Sequence, residues 1–116
     1  MAISKPSSKK VDEAVALHVL SWRQDGERWF DSDVEVGIRP FSRDLTAAWE
    51  VVDRVCEEGF RLQLDGSRLW LARFYKSAAH TLETRAYSAT AGNPAEAICL
   101  AALAFKGVTS ENLGKT

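Results

Sequence analysis

The chain is poor in the side chains that bind metals or attack substrates. Its two histidines, His18 and His80, fall in different segments, with no HxH or HxxxH spacing and no cysteine pair nearby. Zinc needs such ligands close together, so no metal is expected. The two cysteines, Cys56 and Cys99, stand far apart, in no CxxC arrangement and each inside a helical apolar pattern. They read as small core residues of a protein in a reducing cytoplasm. There is no nucleophile elbow, P-loop or GxGxxG fingerprint. Asp25, Glu27, Asp31, Asp33 and Glu35 crowd one stretch, but not at the spacing of a calcium loop. Neither catalysis nor a cofactor is expected.

Neither sign of charge is in excess. Fifteen Lys and Arg against 16 Asp and Glu leave a net −1, whereas proteins that hold DNA by its phosphates usually carry a basic surplus. Nucleic acid is thus not the expected main partner, although a local patch remains open. The dense basic run Lys5–Lys10 leads into an amphipathic segment and not into an apolar run, so it is no signal peptide. No stretch approaches the roughly 20 apolar residues that cross a bilayer. Residues 1–10 read as a disordered tail, 11–107 as one domain, and 108–116, which lack periodicity, as a frayed end.

What is present is an ordinary globular mixture, 46% apolar and 27% charged. Val11, Ala14, Val15, Leu17, Val19 and Trp22 predict a first helix from about Val11 to Trp22, with His18 on its surface. Periodicity then dissolves from Arg23 to Phe41, where Val34, Val36 and Ile38 allow a short edge strand. Ser42 suits the cap of a second helix and Asp44 its first turn, with Leu45, Ala48, Trp49, Val52, Val55 and Cys56 inward. Gly59 ends that helix.

Asp65-Gly66 predicts a hairpin that pairs Leu64 with Ser67, Leu62 with Leu69 and Phe60 with Leu71. Trp70, Ala72 and Phe74 would then lie on the second face, so both faces of the sheet call for cover. Glu83 to Ala89 predicts a third strand. Asn93, Pro94 and Glu96 open a final helix whose Ala97–Phe105 run is apolar all round, and Gly107 closes it. Such a helix is buried by its own chain or by a partner subunit. The expected fold is α/β (α+β): a three-layer α-β-α sandwich around a small, mainly antiparallel sheet of about three strands.

Three blocks carry a family likeness: Phe41-Ser42-x-Asp44, Ala47-Ala48-Trp49-Glu50-Val51-Val52, and Ala97-Ile98-Cys99-Leu100-Ala101-Ala102-Leu103. With a first helix ending near Trp22, they resemble the phage ABA-sandwich domain family over about residues 11–106. Arg43 departs from that pattern, standing where relatives carry Pro. The resemblance implies a phage- or prophage-encoded protein with an α–β–α sandwich and no assigned reaction. It carries over no catalytic residues.

The candidate ligand-binding residues are Trp22, Arg28, Trp29, Arg39, Phe41 and Arg43, in and beside the connection between the first two helices. Aromatic faces beside guanidinium groups can stack a planar ring and clamp a phosphate or carboxylate. A small anionic or nucleotide-like ligand is therefore one expected partner, and its capture would suit evasion of a host defence. The alternative is a protein–protein module, homo-oligomeric or bound to a host or virion protein, using helix 94–106 or the loop.

Overall fold

The protein is seen in a computed structural model that describes residues 7–77 and 84–108. Helix α1 spans Ser8–Ala14, its first turn capped by the Ser7 hydroxyl, which accepts from the Lys10 N–H at 3.2 Å. It continues as a π-helical turn over Val15–Val19, closed by the Leu20 N–H on the Val15 carbonyl. The helix therefore starts three residues before the expected boundary, inside the supposed disordered tail. It stops before Trp22, because Ser21 turns left-handed at φ 59°. Val11, Ala14, Val15, Ala16 and Val19 face inward, while Leu17 and His18 face out.

The stretch expected to be a loop with at most one strand is a small antiparallel sheet. Strands β1 (Arg23–Asp25), β2 (Arg28–Asp31) and β3 (Val34–Val36) pair in that order. Only two residues join each pair, and the first of each two, Gly26 and Ser32, has positive φ. That is the sign pattern of a tight hairpin whose twist matches its strands. Side chains alternate, so Trp29 turns inward while Arg28 remains exposed.

Helix α2 spans Leu45–Cys56, and its cap is Asp44, which accepts from the Thr46 N–H at 2.9 Å. The expected cap, Ser42, is instead buried, with its N–H donated to Asp12. The inward face is Ala47, Ala48, Val51, Val52 and Val55; Leu45 and Trp49, expected inside, are exposed. Gly59, at φ 92°, supplies the stop as expected.

The larger sheet runs β4 (Arg61–Gly66), β5 (Trp70–Ser77), β6 (Thr84–Ala91), antiparallel throughout. Its first hairpin corrects the expected register. Asp65 and Gly66 continue the strand, Ser67–Leu69 make the connection, and Leu62 pairs with Phe74 and Leu64 with Ala72. The change of register has odd parity, so it exchanges the faces of β5. Trp70, Ala72 and Phe74 join Phe60, Leu62 and Leu64 on one apolar side, which buries more than Ser67, Leu69 and Leu71 would. The opposite side carries Arg61, Gln63, Asp65, Leu71, Arg73, Tyr75, Ala86, Ser88 and Thr90, each exposed or half-buried.

Helix α3 spans Pro94–Phe105, with Asn93 accepting from the Glu96 N–H at 2.8 Å. It packs on β5 and β6 and also on α1, the π turn and α2, so its apolar circumference is covered by its own chain. At one end Phe105 meets Phe60 and Tyr87 at ring-centroid distances of 4.8 and 5.3 Å. Val108, expected in the frayed end, donates to the Leu103 carbonyl and packs on the core. His80, Glu83 and residues 1–6 and 109–116 lie outside the described residues. Among the described residues, three helices and two three-stranded antiparallel sheets make a compact α+β fold consistent with a sandwich.

Candidate functional site

The six residues expected to bind a ligand do not form one open site. Trp22 and Phe41 meet edge to face at 5.8 Å, and both are in the core, 5% and 0% exposed. Trp29 is 6% exposed. All three candidate rings are thus interior, because the hairpins fold Trp29 inward and the turn before α2 drives Phe41 under Trp22. The expectation that they offer faces to a ligand is corrected.

Two of the three candidate arginines have local partners. Arg28 forks onto Glu35, with Nε on Oε1 at 3.0 Å and an Nη on Oε2 at 3.2 Å. Arg39 pairs with Glu50 of α2. Arg43 is exposed and makes no ion pair among the described residues. A remnant of the expected chemistry survives on the small sheet, where the Arg23 guanidinium lies 4.5 Å from the centre of the Phe30 ring.

The surface that does come together flanks the outer side of α2. Leu45, Thr46, Trp49, Glu50 and Asp53 line an open hollow of about 520 Å³. A smaller one, about 190 Å³, shares Glu50 and Asp53 and adds Leu20, Trp22, Asp31, Arg54 and Glu57. Trp49 and Leu45 are 49% and 43% exposed, one helical turn apart, so they form a single apolar ridge. Acids dominate its border. Glu50 is paired with Arg39 and Glu57 with Arg54 at 3.6 Å, while Asp31 and Asp53 make no ion pair among the described residues.

The sequence held a signal for this ridge. Residues 45, 47, 48, 49, 51, 52, 55 and 56 are all apolar or small, more than one buried stripe uses, so some must face out.

The remaining reactive groups are subdued. Burial, aided by the Asp12 and Glu96 carboxylates, pushes the Cys99 thiol far above its ordinary range. Burial, aided by Asp53, raises Cys56 as well. Both therefore stay as thiols near neutral pH, the unreactive form. Among the described residues, no three His, Cys, Asp or Glu side chains gather as metal ligands would. No described helix is long and apolar enough to cross a membrane.

Residues 13–103 match the family model of the Phage ABA sandwich domain. The fold is similar to the crystal structure of a phage protein from Bacillus cereus ATCC 14579, with a TM-score of 0.72. The two are 15% identical, over 94% of this chain and 95% of that one. No curated protein matches the sequence significantly.

Proposed function

Because the chain belongs to the phage ABA sandwich domain family, we propose that it is a non-enzymatic phage accessory protein that binds a protein partner through the outer side of α2. The observation that carries this reading is the half-exposed Trp49 on its apolar ridge with Leu45. A buried tryptophan contributes about 2–3 kcal/mol or more relative to an exposed one, so leaving this ring in water forgoes stability that a partner would recover. Tryptophan is also among the residues that most often dominate binding interfaces. The acids around the ridge favour a partner that brings Lys or Arg and disfavour acidic ones. Helix α3, the other expected contact, is covered by its own chain.

Capture of a small anionic, nucleotide-like ligand in aid of host-defence evasion is the less favoured reading. Its rings are interior, and Arg28 and Arg39 already hold carboxylates.

Native mass spectrometry of the protein taken directly from cells separates the readings, since it reports both subunit number and retained mass. A partner protein or second copy should be retained, and Trp49→Ala combined with Leu45→Ala should release it. A lone chain carrying nothing would end the partner reading. A retained mass of a few hundred daltons would favour the small ligand instead.

A further inference from the structure

We propose that the open face of the larger sheet is a binding platform for single-stranded nucleic acid, with Tyr75 stacking a base and Arg61 and Arg73 holding phosphates. The chain's net −1 conceals a strong separation of charge. The described residues from β4 to β6 contain five cations against one carboxylate: Arg61 and Arg73 lie on the open face with Asp65, Arg68 stands in the β4–β5 connection, and Lys76 and Arg85 pair on the other side of the sheet. Residues 45–58, which include α2, contain four carboxylates against one arginine. None of the five cations makes an ion pair among the described residues. Arg73 reaches only the neutral amide of Gln63, at 3.4 Å, and Lys76 only the Glu58 carbonyl and the Phe60 ring. The charge of Arg61 and Arg73 on this face, with Lys76 at its β4 edge, is therefore available to a polyanion, which is where most non-specific affinity for nucleic acid originates.

Strand register arranges these groups in rows. Arg61, Tyr75 and Ala86 lie side by side, and Gln63, Arg73 and Ser88 form the next row. Rows two residues apart are spaced about 6.8 Å, roughly one step of an extended strand of nucleotides. Among the described side chains of β6, this face offers the short Ala86, Ser88 and Thr90, all exposed. The Leu71–Arg73–Tyr75 ridge thus borders a low shelf on which bases can lie. Arg73 sits 5.4 Å from the Tyr75 ring, a cation–aromatic pair suited to stacking.

At the β4 edge, Gly59, Arg61, Tyr75 and Lys76 line a hollow of about 340 Å³, two cations beside one ring. Gly59 has no side chain to crowd it: a Cβ there would stand 3.2 Å from the Lys76 Nζ. A three-stranded face this broad does not enter a duplex groove, which admits a helix or a two-stranded ribbon. Unstacked single strands laid across a sheet suit it better. This platform is independent of the α2 reading, because the two share no residue.

The test is fluorescence polarisation of the full chain with end-labelled dT12 at 50 and 200 mM salt. Binding at the lower salt should be micromolar to tens of micromolar and weaken about tenfold at the higher, as expected for two or three phosphates. Tyr75→Ala should weaken binding about tenfold and Tyr75→Phe much less, since stacking needs the ring and not the hydroxyl. Arg61→Ala and Arg73→Ala should each flatten the salt dependence, and Lys9→Ala on α1 should change nothing. Melting curves of each variant guard against misfolding. The proposal is overturned if dT12 does not bind at 50 mM salt, or if Tyr75→Ala and Arg73→Ala bind like the parent. It is equally overturned if a 12-base-pair duplex or polyphosphate displaces dT12 as well as unlabelled dT12 does.

Discussion

The Oδ1 of Asp12 accepts a hydrogen bond from the backbone N–H of Ser42 at 2.8 Å, 30 residues away in the chain and out of reach of water. This bond ties α1 to the turn that launches α2, and the Ser42 hydroxyl lies 3.5 Å from the Ser8 carbonyl on the same seam. Removing the acceptor leaves a buried N–H without a partner. Asp12→Ala should therefore lower stability by about 1–3 kcal/mol, whereas Asp12→Asn, which keeps a carbonyl oxygen, should lose less. Urea unfolding at neutral pH measures both. Equal losses would mean that the oxygen on Ser42 is not what matters.

A second prediction separates the two registers of the larger sheet. A Cβ on Gly66 would stand 2.8 Å from the Trp70 ring. Gly66→Ala should thus cost about 1–3 kcal/mol by overpacking, while Gly92→Ala, with nothing within 4 Å, should be far milder. Gly66→Asn discriminates further. Asparagine suits a left-handed hairpin turn, so tolerance there would return Asp65-Gly66 to the turn, and a cost as large as alanine's supports the Trp70 contact.

The parts legible in the sequence were those decided locally. Asn93 and Pro94 mark the start of α3 by their own chemistry, and Gly59 and Gly107 mark stops because their φ angles are positive. Antiparallel strands and the family likeness followed from alternation and from the Ala-rich helices. What was not legible depended on distant partners. Asp65-Gly66 has the composition of a turn, yet pairing Leu62 with Phe74 buries more apolar surface than the turn favours. Ser42 has the composition of a cap, but Asp12 claims its backbone. Trp29 reads as a loop residue until β1 and β3 flank it, and this is why the expected binding cluster dissolves into the core.

The two kinds of tryptophan give a third prediction. Trp29→Ala, at a buried ring, should cost about 3–5 kcal/mol. Trp49→Ala, on the outside of α2, should remain within about 1 kcal/mol of the parent. Tryptophan emission adds a second readout: acrylamide should quench a red-shifted component in the parent that is missing from Trp49→Phe. Strong destabilisation by Trp49→Ala would place that ring inside and remove the basis of the partner reading.

The buried thiol of Cys99 gives a prediction in pH, with a definite sign. Burial and the nearby Asp12 and Glu96 carboxylates hold its folded-state pKa above the ordinary value of 9.0. Below pH 9 both folded and unfolded chains carry the thiol proton, so that stability is fully present. Above it the unfolded chain releases a proton that the folded chain retains, and stability falls as pH rises, by up to about 1.4 kcal/mol per pH unit for one group. Cys99→Ala should be less stable than the parent at pH 8, because it leaves a small void, yet lose less between pH 9 and 10.5. Thiol titration supplies an independent check. In native protein at pH 8 a disulfide reagent should modify the half-buried Cys56 slowly and leave Cys99 untouched until denaturant is added. Prompt reaction of both thiols, or parallel stability curves for parent and variant above pH 9, would show that Cys99 is not held in the core as described.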